Sequence, residues 1–196
     1  MQLISYDSIA DQAWKLLAQA GDDRSHPMRV VVLATLGDDG SPEARLMVVR
    51  GADRSRGKLW FYTDLRSPKV QQLRACPAVS AIAWDPACGV QLRIRGTATI
   101  DSSSPLADDH WLQASLGLQV LLHSPEDPGR PLKQPDPRLM GMKTAMDADD
   151  EAAARRNFAV IEITITGIEW LQVCDDDQRR AIMNPVTDWQ PLALAP

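Results

Sequence analysis

No apolar run in this chain approaches the length that spans a bilayer, and no basic segment followed by an apolar one stands at its start. Neither a membrane span nor a secretory leader is therefore expected. Cysteine is scarce: Cys76, Cys88 and Cys174 are odd in number and far apart, with no Cys-x-x-Cys pair. That excludes a disulfide framework and a zinc ribbon, and points to reduced thiols in the cytoplasm. His26, His110 and His123 form no ligand spacing, so no metal is expected. A basic excess is absent too. The formal net charge of -5 argues against a general nucleic-acid binder, although one basic pocket is compatible with an acidic whole. Finally, there is no Gly-x-Gly-x-x-Gly, no phosphate-binding Gly-x-x-x-x-Gly-Lys-Ser/Thr, no His-Glu-x-x-His and no Gly-x-Ser-x-Gly. Hydrolytic triads and metallo-hydrolases are poor readings.

What is present is a globular composition, with 44% hydrophobic and 24% charged residues over 196 positions. No repeat and no linker interrupts it, so residues 1–196 read as one domain. Ser8-Ile-Ala-Asp11 has the form of a capping box, and Ile9, Ala13, Leu16, Leu17 and Ala20 give a helix over 8–20. Two β-branched or apolar runs, 29–36 and 43–50, flank Asp39-Gly40, a hairpin signal. Lys58–Thr63 makes a third strand. Ser67 then N-caps a helix with Pro68 at its first position, ending before Pro77. Residues 79–84 and 90–100 read as strands and 105–122 as a helix. The segment 123–147 is proline-rich, a long irregular loop that reads as a flap over the pocket, part of a subunit contact or a mobile loop with no role. A charged helix over 149–156 follows, then the C-terminal strands of 158–196: an alternating strand over 158–169, a pair over 169–173 and 179–183 around a tight turn, and a short last one over 189–194. The tally is six to eight antiparallel strands with peripheral helices, a mainly β, α+β barrel.

The chemistry lies in cations near a helix start. Ser67 opens a helix whose N-terminus favours an anion, and Lys69 sits in its first turn, an unfavourable place for a cation unless an anion is near. Arg66 precedes the cap. Arg45 and Arg50 flank an apolar run in which the backbone of Met47 and Val48 offers N–H and C=O groups. Each cation also has an ordinary reading as a solvated or surface-paired side chain.

Arg45-Leu-Met-Val-Val-Arg50, Phe61-Tyr-Thr-Asp-Leu-Arg-Ser-Pro-Lys69, Trp84, Gln91-Leu-Arg-Ile-Arg-Gly96, Trp170, Arg180, Trp189 and the Leu-Ala-Pro at 194–196 together resemble the pyridoxamine 5′-phosphate oxidase family. The likeness is greatest to its bacterial branch carrying Ser-Pro-Lys. The resemblance implies an FMN-binding split β-barrel, a homodimer with the flavin at the subunit interface. By motif match, Arg45, Ser67 and Lys69 hold the FMN phosphate, with Arg66 standing in for the arginine that the oxidases have at Pro68. Met47, Val48, Tyr62 and Thr63 line the flavin, and Gln91, Trp170 and Arg180 complete its pocket, some from the second subunit. Arg50 matches the lysine that meets the vitamin substrate's phosphate. The oxidases place arginine and histidine at the sixth and eighth positions after the tryptophan, where this chain has Asp176 and Gln178. The resemblance thus implies an FMN-dependent oxidoreductase with an altered substrate site, acting on another small molecule or reductant. The alternatives are a non-catalytic flavin-binding or stress-associated protein, and a true pyridoxamine 5′-phosphate oxidase.

Overall fold

The computed structural model describes residues 4–131, 146–174 and 177–195. Five strands follow the first helix with little interruption: β1 (Val30–Leu36), β2 (Pro42–Asp53), β3 (Lys58–Asp64), β4 (Ala78–Asp85) and β5 (Val90–Asp101). Helix α1 (Ile9–Asp22) precedes them, and α2 (Pro68–Ala75) lies between β3 and β4. After β5 come α3 (Pro105–Gln113), α4 (Leu116–Leu122) and α5 (Ala148–Asn157), then β6 (Phe158–Cys174), β7 (Asp177–Met183) and β8 (Leu192–Leu194). The sheet order is β3-β2-β1-β4-β5-β6-β7-β8, and β3 also pairs with β6. That extra antiparallel ladder, running from Lys58↔Thr164 to Asp64↔Phe158, closes six strands into a barrel and leaves β7 and β8 as an extension.

Alternation decides what the barrel encloses. On β1, Val31, Leu33 and Thr35 point inward and are at most 4% exposed, whereas Val30, Val32 and Leu36 stand outside. The β1–β2 turn needs a left-handed residue, supplied by Gly40 at φ 78°. Helix α1 buries its apolar stripe against β2, and the approach is close. A Cβ on Gly21 would lie 2.6 Å from the Gly51 Cα, so position 21 needs glycine, while a Cβ on Gly51 would meet the Trp60 ring at 2.2 Å.

A second core lies outside the barrel. Phe158 and Val160 on β6 pack there with Trp111, Leu122 and Ala154 from the three late helices. The first stretch of β6 is therefore buried on both faces, with Phe158 to Ile161 between 0% and 3% exposed.

The structure departs from the sequence reading in four places. Ser8 makes no capping bond; its hydroxyl donates to the Ser5 carbonyl at 3.0 Å, and a 3-10 turn at Tyr6–Ser8 leads into α1. The helix expected over 105–122 is two, because Ala114 takes extended backbone and the Ser115 hydroxyl caps α4 at Leu118 N. β6 runs unbroken through 158–174, since β5 pairs along nearly its whole length with one register shift at Arg95/Gly96. The last strand starts at Leu192 instead of Trp189: Asp188 and Trp189 have φ of 49° and 62° in a turn that sets the Trp189 ring against Trp14. Of the proline-rich segment, 132–145 lies outside the described residues, as does Asp176.

Candidate functional site

At one rim of the barrel a cavity of about 400 Å³ lies between two walls. Met47 on β2, Tyr62, Thr63 and Asp64 on β3, and Ser67 and Lys69 at the start of α2 form one; Leu118, Leu121 and Leu122 of α4 with Ser124 and residues 126–130 form the other.

The polar end of this cavity is built by chain geometry. The β3–α2 turn is tied by Ser67 N donating to Asp64 O at 3.1 Å, which brings Thr63, Ser67 and Lys69 together. Lys69 Nζ donates to Thr63 Oγ1 and Ser67 Oγ, each at 3.1 Å, and both acceptors are neutral and buried. It has no carboxylate partner among the described residues. Burial, with Arg45 close by, pushes its pKa below the ordinary 10.5. Ser67 occupies the cap position with extended backbone and Pro68 follows, but its hydroxyl donates to Asp64 O at 2.7 Å, so the helix start carries no side-chain cap. Arg45 points to the same rim from the inward side of β2. Its Nη1 donates to Thr35 Oγ1 at 2.6 Å and to Leu33 O at 3.2 Å; its Nη2 donates to Gln72 Oε1 at 3.0 Å and meets Glu43 at 3.3 Å. Two cations, two hydroxyls and an uncapped helix N-terminus fit a phosphate by donor chemistry.

Other cations of the motif serve elsewhere. Arg66 grips Asp64 with Nε at 3.0 Å and Nη2 at 2.7 Å, and donates from Nη1 to the Ser124 carbonyl at 2.9 Å. It ties the far wall to the barrel without lining the cavity. Arg50 lies over the Tyr62 ring at 5.1 Å, its Nε buried without a partner, and burial together with Arg29 and Arg24 lowers its pKa. The Tyr62 hydroxyl meets His110 Nδ1 at 3.0 Å, and burial holds that imidazole below its ordinary 6.5, hence neutral at pH 7.

Gln91 and Arg180 stand apart from the cavity. They share one outer row, Trp84–Gln91–Leu171–Arg180, across β4 to β7. Arg180 is held by Glu169, with Nη2 at 2.7 Å and Nε at 2.8 Å. Trp170, one residue on from Glu169, points into the barrel and is fully buried. Val48 is half-buried on the outer side of β2. Gln178 lies exposed on β7. Residue-by-residue reading missed Thr35 and Gln72, which hold Arg45, and His110, which holds Tyr62. The only signal was a polar residue at a buried period of a strand or helix.

A six-stranded antiparallel barrel with a cationic, hydroxyl-lined notch at its rim defines a split-barrel protein. Residues 11–102 match the family model of the pyridoxamine 5′-phosphate oxidase, FMN-binding domain. Over that stretch, a little under half of its length, the chain is similar to this family of FMN-binding domains. It is 32% identical over 129 residues to the pyridoxine/pyridoxamine 5′-phosphate oxidase 2 of Arabidopsis thaliana, a match covering 60% of this chain and 64% of that protein. The chain spans less than two thirds of the length of the curated relatives it matches. Among solved structures, a pyridoxamine 5′-phosphate oxidase-related, FMN binding protein from Nostoc punctiforme superposes with a TM-score of 0.72 at 21% identity, covering 100% of both chains. PhzG from Burkholderia lata, solved in complex with tetrahydrophenazine-1-carboxylic acid, gives a TM-score of 0.71 at 19% identity, covering 100% of this chain and 98% of its own. These two establish likeness of fold. No helix among the described residues is long and apolar enough to cross a membrane.

Proposed function

We propose that this chain binds FMN at the barrel rim, with the phosphate on Arg45, Ser67 and Lys69, and works in the cytoplasm as an FMN-dependent oxidoreductase. The observation that carries the reading is Lys69: a part-buried ammonium whose hydrogen-bond partners among the described residues are two neutral hydroxyls, beside a second cation, at a helix start. A phosphate supplies the missing counter-charge and relieves the repulsion. Met47, Val48, Tyr62 and Thr63 lie next along the motif and take the ring system. When bound, the flavin supplies hydride exchange with a small-molecule substrate or reductant; the protein supplies orientation and charge.

The working form in this reading is a homodimer. Val30, Val32, Leu46, Ile82 and Trp84 form an exposed apolar band on the outer barrel face, between 37% and 69% exposed. Gln91 and Arg180 border that band in the row beside Trp84. A second copy seated on it buries the band and offers Gln91 and Arg180, above the buried Trp170, to its neighbour's flavin. The substrate differs from pyridoxamine phosphate, because acidic Asp176 and neutral Gln178 stand where the oxidases use cations. Arg50, over Tyr62 and without a carboxylate among the described residues, offers one anion contact to whatever molecule enters.

A visible absorption spectrum of the purified protein, with mass spectrometry of the released chromophore, tests this first. FMN in near one-to-one amount is expected; a colourless protein that also refuses added FMN overturns the proposal.

A further inference from the structure

Behind the rim, Arg45, Thr35 and Gln72 form a closed ring of hydrogen bonds. Arg45 Nη1 donates to Thr35 Oγ1 at 2.6 Å, Thr35 donates its one proton to Gln72 Oε1 at 2.7 Å, and Gln72 Oε1 also accepts Arg45 Nη2 at 3.0 Å. The cation fixes every direction. A guanidinium has no acceptor, so the hydroxyl must accept from it and pass its own proton on, and the amide must turn its oxygen inward. Thr35 and Gln72 are 4% and 5% exposed, so neither can be replaced by water at little cost. Gln72 stands one turn beyond Lys69 on α2, and the ring thereby registers that helix start against β1 and β2.

The acceptors are neutral, and there lies the function. A buried carboxylate in place of Gln72 would orient Arg45 equally well and cancel its charge. The only anion on Arg45 among the described residues is Glu43, half-exposed at the rim and 3.3 Å away, a weak solvent-screened partner that an incoming dianion can displace. We infer that Thr35 and Gln72 are positioning residues that aim Arg45 without neutralising it, and so make the rim selective for the phosphorylated flavin over the unphosphorylated one. The inference rests on the FMN reading above.

The test compares FMN and riboflavin binding by flavin fluorescence quenching, with circular dichroism melts of each variant. Gln72→Glu is isosteric and should melt at the wild-type temperature or higher, yet lose FMN affinity by on the order of tenfold to a hundredfold, the size of one charge-assisted contact. Its riboflavin affinity should not change. Thr35→Val should weaken FMN in the same selective way, and Thr35→Ser, which keeps the hydroxyl, should restore it. Glu43→Gln, which removes the competing carboxylate, should hold FMN at least as tightly as wild type. A folded Gln72→Glu with wild-type preference for FMN overturns the inference while leaving the flavin reading intact. Equal wild-type affinity for FMN and riboflavin overturns the phosphate reading itself, and the inference with it.

Discussion

Two groups of cations on this barrel are held in opposite ways. At the rim, Arg45 and Lys69 rest on hydroxyls, an amide and a backbone carbonyl, and the one carboxylate paired with them among the described residues is the half-exposed Glu43, 3.3 Å from Arg45. On the outer face of β5 to β7, Arg93 and Arg180 share the carboxylate of Glu169 at 3.5 Å and 2.7 Å. Arg66 with Asp64 belongs to the second kind. Position on a surface does not separate these groups, and neither does residue type. The main acceptors separate them: buried neutral oxygens orient a cation and leave most of its charge for a ligand, whereas a close carboxylate orients it and offsets part of that charge.

The largest effect should come from emptying the first group. Arg45→Ala with Lys69→Ala removes two charge-assisted contacts worth roughly 1.5–3 kcal/mol each, so FMN affinity should fall by about a hundredfold to ten-thousandfold. A folded protein should remain, with riboflavin binding barely changed. Retained FMN affinity in titration would erase the distinction drawn above.

A change of pH reaches the same group more gently. The pKa of Lys69 is lowered by burial and by Arg45, so between that value and 10.5 the unfolded chain binds more protons than the folded one. The flavin-free protein therefore gains stability as pH rises through this window. FMN binding runs the other way, because deprotonation removes a phosphate contact. Alkaline titration of FMN affinity should fall before pH 10.5, with riboflavin as the flat control.

The smallest effect belongs to the second group. Glu169→Gln releases Arg93 and Arg180, which are 46% and 34% exposed on their side chains, so water already screens most of the interaction. The loss should be about 1 kcal/mol, a fall of roughly 2–4 °C in melting temperature. In monomeric protein the preference for FMN over riboflavin should not move; a shift there would mean that the two groups are coupled through β6.

Much of this was legible in the chain because it is local. Strands β1 to β5, the hairpin at Asp39-Gly40 and the start of α2 at Ser67-Pro68 each follow from a few neighbouring residues, and the structure places them within one residue of expectation, except that β2 runs three residues further, to Asp53. What escaped was non-local or competitive. Ser67 holds the cap position, but its hydroxyl is drawn to Lys69 and Asp64 O, a contest that spacing cannot decide. Ser115 was a usable stop signal inside 105–122, hidden by the apolar residues on either side. Arg66 reads as one more phosphate cation until Asp64, two residues away, is seen to fill its fork. Thr35 and Gln72 are 37 positions apart, and no local pattern joins them.

β6 has a consequence for how the molecule can be divided. Its first residues are inner wall for the barrel and floor for the helical layer at once, with Ile161 in one core and Phe158 and Val160 in the other. No cut through the chain frees a barrel from its helices: a fragment ending before Phe158 loses the strand that closes the ring, and one without α3 to α5 exposes an apolar face along that same strand. The two cores thus melt or persist together, and the rim notch inherits its rigidity from both.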